Sequence, residues 1–348
     1  MEYRLSLLTM IALGLPLAGA AGGCGDSGSE GGEADTDADT DGDTDGDTDV
    51  DTDADSDADS DVTQDCGECT GIGEDLDAML CALDICAEGL VVSTDYASPT
   101  GSATTGTHAA VSHFGSPGND LAPHRNGSYA LMATGPATGT DHSVDMGGAE
   151  GFDPFSKDDY GIYDVMEWSM VLHAPGWAGG FAFDFIFLSE EYDEYIGLIP
   201  NDKFYSIIEA PSTHGGAPTV INFAECRDPD AYSDHVCEED ELGCEEGEPY
   251  CFIAINSARS ECCWHDGCPD GTAETDISGT GFECAAGQLT DADTHGSSTG
   301  WLTTSWPVAG GETFELTFHI HDTGDPIFDS EVILDNFRFL AGEVVPET

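Results

Sequence analysis

Hydrophobic and polar residues alternate with a period of two along most of the chain that follows residue 90. Phenylalanine stands at every second position of 181–187, with other residues between. Large apolar residues recur in the same way at 166–172 and at 314–320. Because successive side chains of a β-strand point to opposite faces of a sheet, this pattern predicts strands with one buried face.

Weaker alternation predicts further strands in the rest of the chain. Together with glycine-rich turns and the near absence of a helical period, they predict an all-β fold, an antiparallel β-sandwich that is jelly-roll-like. The additional strands are predicted at 90–94, 107–114, 128–134, 203–209, 218–224, 250–256, 299–305 and 331–340.

A helical period occurs ahead of the strands, in residues 74–86. Leu76, Met79, Leu80 and Leu83 fall on one face of a helix, and acidic residues occupy its first turn, where they favour the helix dipole. A short N-terminal helix is therefore predicted, with its apolar face directed to the core.

The first 23 residues have the layout of an export signal. Arg4 precedes an apolar run, Leu5 to Leu17, which is too short to span a membrane, and small residues lead to Cys24. The segment that ends at Cys24 resembles the cleavage box of bacterial lipoproteins, which implies that residues 1–23 are removed and Cys24 is lipidated. An ordinary secretory signal, with Cys24 unmodified, is the alternative.

Residues 24–65 form a different kind of segment. Aspartate occupies every odd position from Asp35 to Asp61. No apolar face exists, so we expect a disordered linker between the lipidated cysteine and the folded domain. The repeat imitates the start of a calcium loop, but the acidic twelfth position of such a loop is missing.

Charge limits the partners of the chain. Its 348 residues include 70 acidic and 7 basic side chains, for a formal charge of −63. Nucleic acids and anionic lipid surfaces are therefore poor partners, whereas divalent cations, cationic ligands or a salty environment are favoured. Contact with a membrane is expected through the lipid anchor alone.

The number of cysteines, thirteen, is typical of an exported protein. If Cys24 carries lipid, twelve remain, and an even number in an oxidising compartment predicts disulfides. Their pairing stays open, and zinc binding by either group is the alternative. Residues 226–287 are interpreted as a disulfide-rich insertion in a domain that spans 66–348. The two groups are Cys66, Cys69, Cys81 and Cys86, then Cys226, Cys237, Cys244, Cys251, Cys262, Cys263, Cys268 and Cys284.

Two acidic clusters follow predicted strands. Carboxylate and amide oxygens in such turns suit calcium, although Asp and Asn also simply cap turns. If both strands end at the same rim of the sandwich, their carboxylates converge and call for a cation. The predicted ligands are Glu190, Glu191, Asn201, Asp202, Asp322, Asp325 and Asp329.

The run 181–197, followed by 201–204, resembles the signature of the choice-of-anchor L domain family of bacterial surface proteins. Residues 301–304, 310–314 and 320–330 resemble the closing strands of that family and its acidic motif. The resemblance covers about 88–340 and implies a secreted β-domain without enzymatic activity, on proteins with varied anchors. The family's acidic motifs correspond to the seven predicted ligands and Ser330, and the cysteine-rich stretch is a departure from it.

Together these features predict a lipoprotein of the bacterial cell envelope, at the outer membrane or cell surface. Its calcium-stabilised sandwich is expected to act in adhesion or to bind a surface ligand, a glycan or a protein, without catalysis. The alternative is an extracellular hydrolase, acting on carbohydrate, that uses carboxylates at 190–202 and 322–329.

Overall fold

The computed structural model describes most of the chain from residue 66 to the C terminus. All described residues belong to the compact unit Ser56–Thr348. The predicted signal peptide, Cys24, the linker and most of the cysteine-rich stretch lie outside the described residues. The described residues are 66, 67, 69, 71–155, 160–191, 201–225, 250–254, 275–283 and 296–348.

Strands dominate the described residues, as the alternation predicts. One short helix precedes fourteen strands in this part of the chain. In chain order the elements are α1 (Leu76–Ala82), β1 (Val91–Ala97), β2 (His108–Val111), β3 (Tyr129–Ala133), β4 (Gly151–Phe152), β5 (Gly161–His173), β6 (Ala178–Ser189), β7 (Lys203–Glu209), β8 (Thr219–Val220), β9 (Phe223–Glu225), β10 (Tyr250–Ala254), β11 (Ser297–Ser298), β12 (Leu302–Pro307), β13 (Thr313–Thr323) and β14 (Ser330–Ala341).

The strands form two antiparallel sheets, packed as a sandwich. Across the eight-stranded sheet the order is β1, β5, β13, β7, β10 and β9, with β4 on β5 and β8 on β7. Across the six-stranded sheet it is β11, β6, β14, β3 and β2, with β12 on β6. The predicted all-β antiparallel sandwich is confirmed.

Aromatic side chains fill the space between the sheets. Phe181 and Phe183 of β6 and Phe314 and Phe318 of β13 are each at most 1% exposed. The rings of Phe183 and Phe318 meet edge to face with centroids 5.1 Å apart, and those of Phe181 and Phe314 stack at 5.4 Å. Burial of each ring contributes about 1.5 to 3 kcal/mol. The alternating phenylalanines of the sequence are thus the core face.

A second apolar layer covers the outer face of the six-stranded sheet. Ile186 and Ile333 point outward from β6 and β14 and pack with Ile277 and Phe282. The segment 275–283, near the end of the cysteine-rich stretch 226–287, therefore covers part of this sheet. Acidic residues that face this layer are shielded from water.

Helix α1 is held against the sandwich by two disulfides. Asp75 caps its N terminus by accepting from the main chain of Asp77 and Ala78, and Met79 is fully buried. The helix is shorter than predicted because Asp84 turns left-handed, with φ +69°. Disulfides rather than zinc join this group of cysteines, in the pairs Cys66–Cys86 and Cys69–Cys81.

The strand predictions need small corrections. The strand predicted at 218–224 is two strands, β8 and β9, and β12 lies about two residues later than predicted. Strands β4 and β11 were not predicted, since two residues are too few for an alternation to be seen. Among the described residues, no helix is long and apolar enough to cross a membrane.

Candidate functional site at the rim of the sandwich

Both acidic motifs lie at the same rim of the sandwich. In the six-stranded sheet, the last residue of β6, Ser189, pairs with the first residue of β14, Ser330. In the eight-stranded sheet, Lys203 at the start of β7 pairs with His321 near the end of β13. The acids that adjoin these positions therefore meet. The predicted convergence of the two motifs is confirmed, and we call Glu191, Asp202, Asp322 and Asp329 the rim cluster.

Asp202 is the centre of the cluster. Its Oδ1 accepts a hydrogen bond from the Thr323 N–H (3.0 Å), and its Oδ2 accepts one from the Ser330 hydroxyl (2.7 Å). Its own N–H donates to Glu191 Oε2 at 3.0 Å. Because Thr323 belongs to one sheet and Ser330 to the other, the Asp202 carboxyl group joins the two sheets at the rim.

Asp322 has a carboxyl group with little hydrogen bonding. Its side chain is fully buried, and within the described part of the chain neither oxygen has a close hydrogen-bond partner. The Thr134 hydroxyl, which accepts from the Ser330 N–H at 2.9 Å, lies near enough to favour a charge on Asp322, but burial outweighs its effect on the pKa. A buried carboxyl group in this state is costly unless a proton or a cation compensates it.

Asp329 occupies a space that a glycine leaves open. Its Oδ2 accepts from the Val144 N–H at 3.3 Å, while its buried Oδ1 has no partner. A Cβ atom at Gly135 would lie 1.9 Å from Asp329 Oδ2. Any side chain at position 135 would therefore displace this carboxyl group.

The surroundings disfavour charge on all four groups. Burial raises the pKa of Asp202 to about 7 and that of Asp329 to about 8. Burial also raises the pKa of Glu191 and of Asp322 well above the usual range, and the charge of Asp202 adds to both increases. Without a cation, protons must neutralise part of the cluster near neutral pH.

The remaining predicted ligands lie around the cluster. Glu190 is partly exposed, accepts from the Ser143 hydroxyl at 3.3 Å, and has its pKa raised by burial to about 7. Asp325 is partly exposed in the turn between β13 and β14, where it accepts from the Ile327 N–H at 3.1 Å. Asn201 is 2% exposed and directly precedes Asp202.

Two further acids near the cluster were not predicted. Asp164 of β5 is buried, and its charge adds to the raised pKa of Asp329. Glu331 of β14 is fully buried beside Asp329, and neither of its oxygens has a partner. Both stand inside strands, where an acid resembles an ordinary outward-facing residue. The alternation along β14 was the available signal, since Glu331 shares the face of buried Ile333.

The fit to a metal is partial in this arrangement. Buried unpartnered oxygens at Asp322 and Asp329 suit a hard cation, which prefers carboxylate and amide oxygens. As the side chains stand, no group of three or more His, Cys, Asp or Glu within the described ranges could hold a metal ion. A bound ion would therefore have to draw the carboxyl groups together.

The other predicted site residues fall outside the described part of the chain. They are Cys24 and seven of the eight cysteines of the second group, Cys226, Cys237, Cys244, Cys262, Cys263, Cys268 and Cys284; Cys251 lies in β10, but its side chain is not described. Lipidation and the pairing of these cysteines stay predictions.

Comparison with known proteins adds no argument about this chain. No protein-family model and no curated protein matches the chain, so the choice-of-anchor L resemblance stays a prediction. One similar structure is TmCBM61 in complex with β-1,4-galactotriose, at 8% identity and a TM-score of 0.28. The match covers 73% of this chain and 92% of TmCBM61. Another is the K1 cleaved adhesin domain of Lys-gingipain from Porphyromonas gingivalis W83, at 10% identity and a TM-score of 0.28, which covers 73% and 94%. Similarity this low indicates nothing about the ligand.

Proposed function

We propose that the chain is an exported, lipid-anchored protein of the bacterial cell envelope whose sandwich binds a surface ligand without catalysis. The rim cluster, in this proposal, holds calcium and fixes the loops that meet the ligand. The observation that carries the proposal is the complete burial of Asp202 and Asp322 at the meeting point of both acidic motifs. Acids placed in this way can stabilise a fold but cannot touch a substrate.

Calcium suits the cluster because its ligands are oxygens and its geometry is flexible. When bound, it would supply the positive charge that the buried carboxyl groups of Asp322 and Asp329 lack. The Asp202 carboxyl group already joins the ends of the two sheets through Thr323 and Ser330. The ion would strengthen that junction.

Exposed apolar side chains beside the rim offer a surface for the ligand. Phe152 is 65% exposed, Tyr160 40% and Ile327 47%. Phe152 pairs with Gly161, the neighbour of Tyr160, and the Gly161 carbonyl accepts from the Gly324 N–H at 2.8 Å, in the turn that carries Ile327. Aromatic and apolar groups that are clustered in this way favour binding to a glycan or a protein.

The same turn connects this surface to the rim cluster. It follows Thr323, the residue after Asp322, and ends at Asp329, so cluster residues stand on both sides of the turn that carries Ile327. An ion between these two carboxyl groups would hold the turn in one conformation. Ligand binding should therefore depend on calcium even though the ion does not contact the ligand.

A hydrolase is the less favoured function. A glycosidase needs two carboxyl groups that reach the scissile bond. Of the described acids in the two motifs, only Glu190 and Asp325 are partly exposed, and the others are buried. Glu190, with a pKa of about 7, has the property of a general acid, so the test must also measure hydrolysis.

The test is a binding screen of the mature protein against glycans and cell-wall fragments, with calcium or with excess chelator. We expect retention in calcium and its loss in chelator. The double variant Phe152→Ala, Tyr160→Ala should lose binding at least about tenfold, as expected for removal of a central aromatic contact. Trp177→Ala is the matched control, because Trp177 is 41% exposed but lies in the turn before β6, at the end of that strand away from the rim.

Two results would contradict the proposal. One is equal binding by wild type and the double variant in calcium. The other is release of reducing ends from the same glycans that is lost in Glu190→Gln, which would favour the hydrolase.

A further inference from the structure

A second group of buried oxygens lies at the junction of helix α1 and strand β14. Asp84 follows the helix, and Asp335 and Asn336 stand where β14 bulges and its register with β6 shifts. The Phe337 N–H donates to the Leu83 carbonyl at 3.0 Å, which brings the two elements together. This group is five residues further along β14 than Ser330, at the rim.

One oxygen of Asp84 lacks a close hydrogen bond. The residue is fully buried, and its Oδ1 accepts from the Asn126 amide, but among the described residues its Oδ2 has no close hydrogen-bond partner. The amide oxygen of Asn336 is likewise buried and without a partner in the described part of the chain. Buried oxygens without partners are uncommon in a folded protein.

Asp335 completes the group. It is fully buried, its Oδ2 accepts from the His124 N–H at 2.6 Å, and its Oδ1 accepts from the Asn336 N–H at 2.6 Å. The same Asn336 N–H also faces the carboxyl group of Asp84. The two carboxyl groups therefore share one donor and approach each other.

Nearby basic residues do not form ion pairs with these two acids. Among the described residues, Arg338 is the arginine in an ion pair, and its partner is Asp184, at 3.2 Å. Arg125 acts on Asp84 only through its charge at a distance. Asp184 is thus matched by a base, whereas Asp84 and Asp335 are not.

We propose that Asp84, Asp335 and Asn336 hold a hard divalent cation of the calcium class, separate from the rim cluster. The site offers one free carboxylate oxygen from Asp84, the carboxyl group of Asp335 and the amide oxygen of Asn336, all hard donors. Main-chain carbonyls or water would complete the six to eight oxygens that calcium takes. Two acids and an amide do not constitute a group of three acids or histidines, so this set is compatible with the absence of such groups in the described ranges.

The disulfides prepare this site. Cys81 and Cys86 flank Asp84, and both are bonded to cysteines at the N-terminal edge of the domain, Cys69 and Cys66. Asp84 is therefore held in its left-handed conformation before any ion binds, which lowers the entropy lost on binding. The linker joins the domain at Cys66, so an ion here would connect the point where the tether enters to the C-terminal strand.

Amide exchange at Phe337 tests the proposal on the wild-type mature protein. Because its N–H donates to Leu83 across the junction, calcium at ten times the dissociation constant should slow its exchange by about tenfold. Asp84→Asn should abolish this slowing, while Asp322→Asn, at the rim, should keep it. Asp95→Asn, an exposed change of the same kind in β1, is the control for charge.

Counting of bound ions by native mass spectrometry gives an independent result. The Asp84→Asn, Asp335→Asn double variant should retain one ion fewer than the Asp95→Asn control, which has the same Asp-rich linker. An unchanged Phe337 exchange rate in wild type, or an equal ion count in the double variant and control, would overturn the proposal. If the double variant does not fold, the exchange measurements on wild type, Asp84→Asn and Asp322→Asn decide together. Loss of rim binding would leave both readouts intact, so this site and the rim can fail separately.

Discussion

Two buried aspartates show how the surroundings of a residue determine its charge. Asp184 accepts hydrogen bonds from His124 at 2.7 Å, Asn336 at 2.8 Å and Thr303 at 2.8 Å, and it pairs with Arg338. Burial alone would raise the pKa of Asp184, but these donors lower it overall. Asp322 is buried more completely and has only the Thr134 hydroxyl beside it, and burial raises its pKa well above the usual range. The first is a satisfied structural anion, and the second requires a proton or a cation.

Opposite effects are therefore expected from the same substitution at these two positions. Asp322→Asn should leave the melting temperature in chelator unchanged or higher, because it removes an uncompensated acid, and should abolish the part of the calcium gain that comes from the rim. In wild type an ion at the rim contributes about 2.7 kcal/mol at a hundredfold excess over its dissociation constant. Asp184→Asn should instead cost about 3 kcal/mol or more, since it leaves Arg338 without its partner.

Thermal unfolding with chelator and with millimolar calcium measures both effects. Asp95→Asn, exposed in β1, is the control for the lost charge and should resemble wild type. Retention of the full calcium shift by Asp322→Asn would remove this residue from the site.

The rim cluster also predicts how stability depends on pH without calcium. Its carboxyl groups have folded-state pKa values above their unfolded values near 4, about 7 for Asp202 and about 8 for Asp329. A raised pKa contributes stability that is fully present below the unfolded pKa and is lost as pH rises through the folded pKa. In chelator, the protein should therefore become less stable between about pH 4 and pH 8.

Urea unfolding at pH 5 and pH 8 measures this trend. The high negative charge of the chain acts in the same direction, so both titrations should be run in high salt, which screens the exposed charges. Calcium should flatten the trend because it replaces the protons. A midpoint that is equal at both pH values in chelator would show that the cluster does not titrate in this range.

At the scale of elements, alternation predicts the strands well but not their partners. The phenylalanines of β6 and β13 predict two buried strands, and both are found, because the period of two is a local property. Which strands pair depends on non-local contacts. The neighbours of β13, for example, are β5 and β7, from distant parts of the chain.

The same limit explains which site residues could be predicted. The acids of the rim cluster stand at strand ends, where acidic residues in turns are typical of cation sites. They are Glu191, Asp202, Asp322 and Asp329. Asp84 could not be predicted, because in the sequence it resembles an ordinary residue at the end of a helix. Its unpartnered oxygen becomes evident only from the contact with β14. Local sequence therefore identifies the acids of the rim cluster, whereas the second acidic site follows from the pairing of elements.

The disulfides of α1 allow a prediction about this element. Cys69→Ser with Cys81→Ser should lower stability by about 2 to 4 kcal/mol, because the unfolded chain regains freedom. It should also loosen α1 from β14, which is visible as faster amide exchange at Phe337 in the absence of calcium. If the double variant left exchange at Phe337 unchanged, the Cys69–Cys81 disulfide would not be what holds α1 against β14.

Non-reducing peptide mapping should find Cys66–Cys86 and Cys69–Cys81 in wild type. The cysteines from Cys226 to Cys284 should pair only with one another.

At the scale of the whole molecule, charge and anchor act together. Aspartates two residues apart lie within one Debye length, so their repulsion is expected to extend the predicted linker. Residues 25–65 could reach about 130 Å at about 3.3 Å per residue. A tether of this length would hold the domain away from the membrane, and the net charge of −63 would keep it off anionic lipid.

Cys24 is the residue on which this arrangement depends. It ends the predicted export signal, and its removal from the count leaves twelve cysteines for the predicted disulfides. We expect a palmitate analogue to label the wild-type protein in cells and the protein to sediment with membranes, because several acyl chains at about 0.8 kcal/mol per buried methylene give firm anchoring. Cys24→Ala should lose the label. Asp95→Asn, which keeps the signal and Cys24, should be labelled like wild type. Equal labelling of Cys24→Ala and wild type would exclude a lipid at this position, and the sandwich would then need another means of attachment to act at the surface.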